Sequence, residues 1–364
     1  LENNVAYTCM LESDQEIIDY VLANKPMVVS IDSPLSLPHG RVKVTDDDEG
    51  RIKYGITRYC ERALKKRGVN SYPCLIQSMQ KLTARGIKLA EKMRSIGVPV
   101  IESFPGAAQD ILRIPRKKTD LYFLKKGLID FGIDIEKDVI CHDELDAITS
   151  ALVGLFFWQG KFEALGNEEE DYLIIPELDQ IIDGWGTRKI IGFSGPIATG
   201  KTTAAIALKQ KGFHCVRFSQ ILEEILSEQN REINRNNLQE IGNMINQKHG
   251  QYWLCKKLKA KISNYKNVVI DGLRHPEDHA FFTEQYGPDF FHVFIDTDIN
   301  IRKDRYLQKS EKYDEYLSAI KHPVEKNVQT MVNLAHLVVE NNCEKAQFED
   351  TILKVVENNF LGMV

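Results

Sequence analysis

The chain has 364 residues, enough for two domains of ordinary size, and 43% of them are hydrophobic, as in typical globular proteins. Its net charge of −5 excludes a broadly basic nucleic-acid-binding surface but leaves room for a local basic groove. The longest apolar stretch, residues 147–158, is too short to span a membrane, and the seven cysteines include no C-x-x-C pair. We therefore expect a cytoplasmic protein with reduced thiols.

The first half of the chain alternates short apolar runs with segments of helical periodicity. Strand composition is found in residues 5–11, 27–31, 98–101 and 172–175. Helical spacing is found in residues 14–22, 58–66, 75–96, 107–112, 120–131 and 143–157. This pattern predicts an α/β domain with a mixed sheet and covering helices.

A glycine-rich segment, residues 183–186, follows the last of these strands, and a second α/β pattern begins after it. Its strand candidates are residues 190–193, 214–218, 268–270 and 291–295, with helical segments between them. Strands that alternate with helices predict a parallel sheet. We predict a first domain over residues 1–178, a linker over 179–188 and a second domain over 189–364.

The second domain opens with a phosphate-binding motif. The segment from Gly195 to Thr202 matches G-x-x-x-x-G-K-[ST] in full and lies between a predicted strand and a predicted helix. Backbone N–H groups of such a loop surround a phosphate, the lysine reaches the β- and γ-phosphates, and the hydroxyl binds Mg²⁺. We predict ATP and Mg²⁺ as cofactors, with nucleotide-binding residues Gly195, Pro196, Ile197, Ala198, Thr199, Gly200, Lys201, Thr202 and Thr203.

Further charged residues follow two later strands. Asp271 ends a strand where a carboxylate would orient Mg²⁺, and Arg274 is placed to contact a substrate phosphate. Arg302 and Arg305 share a helix face and are candidates to stabilise the transferring phosphoryl group. The alternatives are a simple Asp-Gly turn for Asp271 and a solvated helix face for the two arginines. Lys201, Asp271, Arg302 and Arg305 form the predicted catalytic set.

This half resembles the P-loop kinases of small metabolites, above all dephospho-CoA kinase and the deoxynucleoside monophosphate kinases. The matching segments are residues 195–202, 216–222, 271–277, 296–305 and 340–342. The resemblance implies that the acceptor is bound after the second strand, by Phe218, Ser219 and Gln220, with Arg235 and Gln239. Together with Arg274 these residues form the predicted acceptor site. Dephospho-CoA kinases carry an aspartate soon after that strand, and this chain has Ser219-Gln220, which leaves the acceptor open.

Four carboxylates of the first half stand at the ends of predicted elements. Asp32 and Glu102 follow strands, and Asp143 and Asp146 lie in the first turn of an apolar helix. Carboxylates gathered at one edge of a sheet can hold one or two Mg²⁺ or Mn²⁺ ions, which activate water for attack on a phosphodiester. The alternative is that these residues are helix caps and turn formers.

The first half resembles the predicted RNase H-like nuclease family known as DUF429. The matching segments are residues 31–35, 101–106, 142–147 and 172–176. The resemblance implies an RNase H-like mixed sheet, a metal site formed by the four carboxylates and a nucleic acid as the candidate partner. The family begins with a strand that ends in Gly-Ile-Asp. No such segment precedes Val5, so we expect either that this strand lies outside this numbering or that the nuclease site is incomplete.

Three hypotheses follow for the whole chain. The first is an ATP-dependent kinase of a nucleotide-type small molecule, fused to a metal-dependent nuclease. In the second, the P-loop domain senses or hydrolyses a nucleotide without an acceptor and gates the nuclease. In the third, the first half is a degenerate RNase H-like scaffold that binds without chemistry. The P-loop alone does not separate the first two, because both require phosphate binding.

Overall fold

The computed structural model describes residues 1–116, 120–310, 316–317, 320 and 323–361. The chain divides into two compact units. The first comprises Leu1–Arg94 with Val98–Asp183, and the second comprises Ser95–Gly97 with Gly184–Val364. In the described part of the chain, no helix combines the length and the apolar character needed to cross a membrane. The seven cysteines all lie within this part and form no disulfide.

The first unit carries a small mixed sheet and a set of helices. Its strands are β1 (Val29–Asp32), β2 (Val100–Ser103), β3 (Phe162–Asn167) and β4 (Asp171–Pro176). Its helices are α1 (Asp14–Asn24), α2 (Arg51–Tyr54), α3 (Tyr59–Lys66), α4 (Gln80–Ser95), α5 (Pro105–Ile111), α6 (Leu121–Asp130) and α7 (His142–Trp158).

The strand order of the first sheet is β1-β2-β4-β3, with β3 antiparallel to β4 and the other pairs parallel. The apolar helix α7 packs against β1 and β4, which buries the sheet on that face. The strand predicted over residues 5–11 is wrong, because only Val5 forms isolated bridges, to Glu2 and Asp134. Strand β4 agrees with the strand predicted over residues 172–175, whereas β3, its antiparallel partner in the hairpin, was not predicted. The sheet is mixed, as predicted, whereas the RNase H-like arrangement itself is not confirmed.

The second unit alternates strands and helices along the chain. Its strands are β5 (Lys189–Ser194), β6 (His214–Arg217), β7 (Asn267–Asp271), β8 (Phe290–Asp296) and β9 (Leu337–Glu340). Its helices are α8 (Lys201–Gln210), α9 (Phe218–Glu228), α10 (Arg235–His249), α11 (Gln251–Ile262), α12 (Pro276–Tyr286), α13 (Ile299–Ser310), α14 (Pro323–Thr330) and α15 (Lys345–Leu361).

The second sheet is parallel throughout, with strand order β6-β7-β5-β8-β9. Its central strand β5 is apolar on both faces: Ile190 packs into one hydrophobic cluster, and Ile191 and Phe193 pack into another. Burial on both faces is what a continuous apolar run in a parallel strand predicts. After β5 the chain first builds β6 and β7 on one side and then β8 and β9 on the other. Such a reversal opens a crevice at the carboxyl end of β5, where open α/β sheets bind ligands.

Candidate functional site

The loop between β5 and α8 lies in that crevice and has the backbone of a phosphate cradle. Gly195 and Gly200 have φ values of 135° and 104°, which side-chain-bearing residues rarely adopt. A Cβ at Gly195 would lie 2.2 Å from the carbonyl oxygen of Ile295, so no side chain fits there. Gly200 directly precedes α8, which places the loop at the positive end of that helix. The motif therefore folds as its sequence predicted.

Buried hydrogen bonds hold the loop in this shape. The Thr199 hydroxyl donates to the Pro196 carbonyl at 3.0 Å. The Thr199 carbonyl accepts from the Asn341 side-chain amide at 2.7 Å and from the Thr297 hydroxyl at 3.2 Å. Thr199, Thr297 and Asn341 are all buried, so these bonds form away from water. They tie the loop to the segments that follow β8 and β9.

A chain of histidines fixes the residue just before the loop. The Ser194 hydroxyl is 2.6 Å from Nε2 of His292, and Nδ1 of His292 is 3.1 Å from Nδ1 of His279. The His292 backbone N–H donates to Nδ1 of His336 at 2.9 Å. Burial lowers the pKa of His279 to about 3 and that of His292 well below its ordinary value, so both rings are neutral. This network could not be predicted from local motifs, because its members are far apart along the chain.

Lys201 is turned back onto the loop. Its Nζ donates to the carbonyl oxygens of Gly195 and Pro196 at 2.6 and 2.7 Å. Burial lowers its pKa to about 8, and the positive charge of Arg274 acts in the same direction, whereas Glu325 and Asp271 oppose the shift. The ammonium group therefore lies within the cradle, where it can exchange the two carbonyls for phosphate oxygens.

Thr202 and Asp271 are brought together at the mouth of the loop. The Thr202 hydroxyl donates to Oδ2 of Asp271 at 2.9 Å. Asp271 ends β7 next to β5 and is 8% exposed, while Thr202 opens onto solvent. A hydroxyl and a carboxylate are the hard oxygen donors that Mg²⁺ prefers, so these two residues fit a magnesium ion bound with nucleotide. Thr202 and Asp271, each predicted to act on Mg²⁺, are hydrogen-bonded to each other in the structure.

The two predicted phosphoryl-binding arginines differ in their surroundings. Arg305 donates to the carbonyls of Asn341 and Cys343, each at 3.0 Å, and so braces the segment after β9. Arg302 lies close enough to Lys201 to lower its pKa. Its Nε is buried and has no hydrogen-bond acceptor among the described residues. Of the two arginines, Arg305 is thus committed to backbone carbonyls, whereas Arg302 acts on Lys201 through its charge.

A cavity of about 320 Å³ adjoins the loop and has the size of a small-molecule site. It is lined by Gly200 and Lys201 of the loop, by Arg305 of α13, and by Asn341 and Lys345 near the end of β9. The residues that brace the loop thus also border the space beside it. This cavity is the part of the crevice that can take the remainder of a nucleotide.

The predicted acceptor residues are not all near the loop. Phe218 is buried in the core, with its ring centroid 6.5 Å from that of Phe282. Ser219 and Gln239 are partly exposed on α9 and α10, and the side chain of Arg235 lies outside the described residues. Arg274 borders the loop: its guanidinium contacts Oε1 of Glu325 at 3.4 Å. Of this set, Arg274 is the residue placed beside the phosphate cradle.

Glu325 is a residue of the site that sequence analysis missed. It lies in the first turn of α14, and its Oε2 accepts the backbone N–H of Ile197, inside the loop, at 3.0 Å. No motif signals this contact, because 128 positions separate the two residues.

In the first unit, Glu102 is a buried ion-pair residue. Both of its carboxylate oxygens accept from Arg58, at 2.7 and 2.5 Å, and Oε2 also accepts the Leu35 N–H at 2.7 Å. Burial acts to lower the pKa of Arg58, but Glu102 and Glu61 raise it well above its ordinary value, so the guanidinium stays charged. Arg58 and Glu102 are 2% and 5% exposed. Glu102 is therefore already neutralised by a cation of the protein.

The other predicted metal ligands, Asp32, Asp143 and Asp146, have different surroundings. Asp146 contacts Nε2 of His142 at 2.9 Å and accepts a hydrogen bond from the side-chain amide of Gln109 at 3.0 Å. The Asp143 side chain is 81% exposed, and Asp32 is exposed at the end of β1. Within the described residues, no group of three or more His, Cys, Asp or Glu side chains is placed to hold a metal ion. Among the described residues, Asp32, Glu102, Asp143 and Asp146 thus do not form a metal site, and Arg58 already pairs with Glu102.

Comparisons with known proteins concern about half of the chain, the half that carries the P-loop. No family model matches the chain. It is 24% identical over 178 residues to a UPF0200/UPF0201 protein of Archaeoglobus fulgidus, a match that covers 46% of this chain and 54% of that protein. It is 22% identical to a UPF0200 protein of Methanosarcina barkeri, over 47% of this chain and 95% of that one. The chain thus spans about half the length of the Archaeoglobus relative.

Solved structures similar to the chain include shikimate kinase from Aquifex aeolicus, at 20% identity and a TM-score of 0.30, over 48% of this chain and 99% of that one. Dephospho-CoA kinase from Campylobacter jejuni is 13% identical with a TM-score of 0.31, over 48% and 98% of the two chains. The second unit itself has a parallel α/β sheet with a phosphate-binding loop between its central strand and the following helix. None of these comparisons supports the resemblance of the first unit to the RNase H-like family.

Proposed function

We propose that the second unit is a phosphotransferase that binds ATP with Mg²⁺ and transfers the γ-phosphoryl group to a nucleotide-type small molecule. The observation that carries the proposal is the Thr202–Asp271 hydrogen bond at the mouth of a cradle that also holds Lys201. These are the three protein groups that phosphoryl transfer on a P-loop requires: a lysine, a hydroxyl and a strand-end carboxylate.

Each residue has a role that follows from its position. Lys201 exchanges the Gly195 and Pro196 carbonyls for phosphate oxygens and neutralises their charge. Thr202 and Asp271 hold Mg²⁺, which supplies charge neutralisation at the phosphates when bound. Arg302, whose buried Nε has no acceptor among the described residues, donates to the transferring group. Arg274, 48% exposed at the rim of the cradle, orients the acceptor through its phosphate.

An acceptor screen tests this function. The full chain is incubated with Mg²⁺ and γ-labelled ATP and with each nucleoside monophosphate, deoxynucleoside monophosphate and dephospho-CoA, and Lys201→Ala is the negative control. We expect label transfer to one acceptor class by the natural chain and none by the variant. ATP binding without transfer to any acceptor would contradict the proposal and favour a nucleotide-sensing role.

The proposal is confined to the second unit. The nuclease expected of the first unit required four carboxylates at one metal site, and the described residues do not bring them together. Glu102, the central one, is held by Arg58 in a buried ion pair that needs no metal. The first unit is therefore best described as a folded α/β unit with a structural salt bridge where a metal site was expected.

A further inference from the structure

The phosphate loop is in contact with an acidic side chain of its own chain. Oε2 of Glu325 accepts the Ile197 N–H, and Oε1 contacts the guanidinium of Arg274. The Glu325 side chain is only 10% exposed, so its charge is largely removed from water. A buried carboxylate needs compensation of this kind, and here a backbone amide, a guanidinium and the nearby Lys201 provide it.

The groups around Glu325 are the groups expected to bind phosphate. Backbone N–H groups of the loop, Lys201 and Arg274 form an anion site, and a carboxylate offers the same chemistry as a phosphate: negative charge on oxygen acceptors. A phosphate and this carboxylate cannot use the same N–H together, because each N–H donates fully to one acceptor and two anions in contact repel. Occupancy by Glu325 and occupancy by a nucleotide phosphate are therefore in competition.

We propose that Glu325 is a built-in competitor at the phosphate site, which the phosphates of a nucleotide displace when they bind. This inference rests on the proposed function, because it assumes that the loop binds nucleotide phosphate. Displacement frees the Ile197 N–H and Arg274 for the ligand. It also releases the first turn of α14 from the loop, so nucleotide binding is coupled to the position of α14.

The coupling has a direct consequence for affinity. The free energy of the Glu325 contacts opposes nucleotide binding, so their removal strengthens binding. Coupling free energies between such states correspond to affinity changes of about 5-fold or more. Glu325→Gln removes the charge but keeps an oxygen that accepts from Ile197, whereas Glu325→Ala removes both. Affinity is therefore expected to rise in the order natural chain, Glu325→Gln, Glu325→Ala.

The experiment measures the Kd of the full chain for Mg²⁺-ATP and for inorganic tripolyphosphate by calorimetric titration. Tripolyphosphate carries no base or sugar, so it reports on the phosphate site alone. Glu325→Gln and Glu325→Ala are compared with Glu357→Gln, which removes the same charge at an exposed position of α15. We expect both ligands to bind Glu325→Gln at least about fivefold more tightly than the natural chain and the control variant. If Glu325→Ala does not fold, Glu325→Gln alone carries the test.

The outcomes separate this inference from the proposed function. Equal Kd values in all variants, with ATP bound, would overturn the competition and leave the kinase assignment intact. Weaker binding in Glu325→Gln would also overturn it, and would show that Glu325 assists the ligand. Failure of every variant to bind either ligand would refute nucleotide binding itself, and the inference with it.

Discussion

The two units each place a carboxylate at the end of an apolar parallel strand, yet the two carboxylates have different roles. Glu102, the next-to-last residue of β2, is paired to Arg58, a buried cation that precedes α3, so its charge is neutralised within the protein. Asp271 ends β7 beside the phosphate loop and accepts a hydrogen bond from the neutral hydroxyl of Thr202, so it is a candidate to bind a cation. A carboxylate at the end of a strand is therefore a candidate metal ligand only where no cationic side chain of the protein already pairs with it.

The largest effect is expected from breaking the buried ion pair between Arg58 and Glu102 in the first unit. Arg58→Met leaves Glu102 and Glu61 buried without their cation, and breaking a buried ion pair in this way costs about 3–5 kcal/mol of unfolding free energy. Chemical denaturation measures the loss. Arg62→Met, which removes the same charge at an exposed position of α3, is expected to change stability little. An unchanged unfolding free energy in Arg58→Met would refute the structural role of the pair.

The next largest effect is expected at the phosphate loop of the second unit. Lys201→Ala removes the cation from the phosphate cradle and is expected to lower the rate of phosphoryl transfer by about 10²–10³-fold, the cost of one strong electrostatic donor. Initial rates with saturating ATP measure it, and thermal unfolding checks that the fold is retained. Lys209→Ala, on an exposed position of the same helix, is the matched control. Full activity in Lys201→Ala would exclude the P-loop as the site of chemistry.

A smaller effect is expected from Asp271→Asn. The substitution keeps the size of the side chain but removes the charge that holds the cation with Thr202, and metal affinity should fall by about 10–100-fold. The Mg²⁺ concentration at half-maximal rate measures this change. Asp296→Asn is the control: Asp296 is the exposed acid at the end of β8, on the other side of β5, and it accepts the Thr297 N–H. Equal shifts in both variants would mean that Asp271 has no special part in metal binding.

The smallest effect is a pH dependence. Because burial lowers the pKa of Lys201 to about 8, the free site is charged below pH 8 and progressively neutral above it. Phosphate binding requires the charged form, so ATP affinity should be constant from pH 7 to 7.5 and weaken about fivefold from pH 8 to 9. Kd measured at each pH checks this, and Lys201→Met is expected to remove the dependence. A dependence that persists in Lys201→Met would assign it to another group.

Much of the second unit could be predicted from the sequence, because its signals are local. The phosphate loop is a contiguous motif, and its strand, glycines and helix fold as the motif requires. The pairing of Thr202 with Asp271 also follows, since parallel strands next to each other end at one edge of a sheet. Glu325 and the histidine chain from Ser194 could not be predicted, because tertiary packing alone brings their members together.

The first unit was harder to predict for the same physical reason. Residues 5–11 have strand composition but find no neighbouring strand, and a strand forms only where its backbone groups are paired. The segment Phe162–Asn167 contains Gly166 and polar residues, yet it becomes β3 because β4 offers a complete antiparallel ladder. Arg58 and Glu102 are 44 positions apart. The sequence indicates a basic residue at a helix start and an acid near a strand end, but not that the two are in contact.

Metal binding by the full chain tests the central comparison most directly. Equilibrium dialysis against Mn²⁺, as a probe for Mg²⁺, is run with and without a non-hydrolysable ATP analogue present on both sides of the membrane. We predict that the natural chain retains one Mn²⁺ ion per chain only when the analogue is present. The Asp271→Asn variant is expected to retain none under the same conditions. An ion retained without nucleotide, and lost in Asp32→Asn or Asp146→Asn, would contradict the account and place the metal site in the first unit.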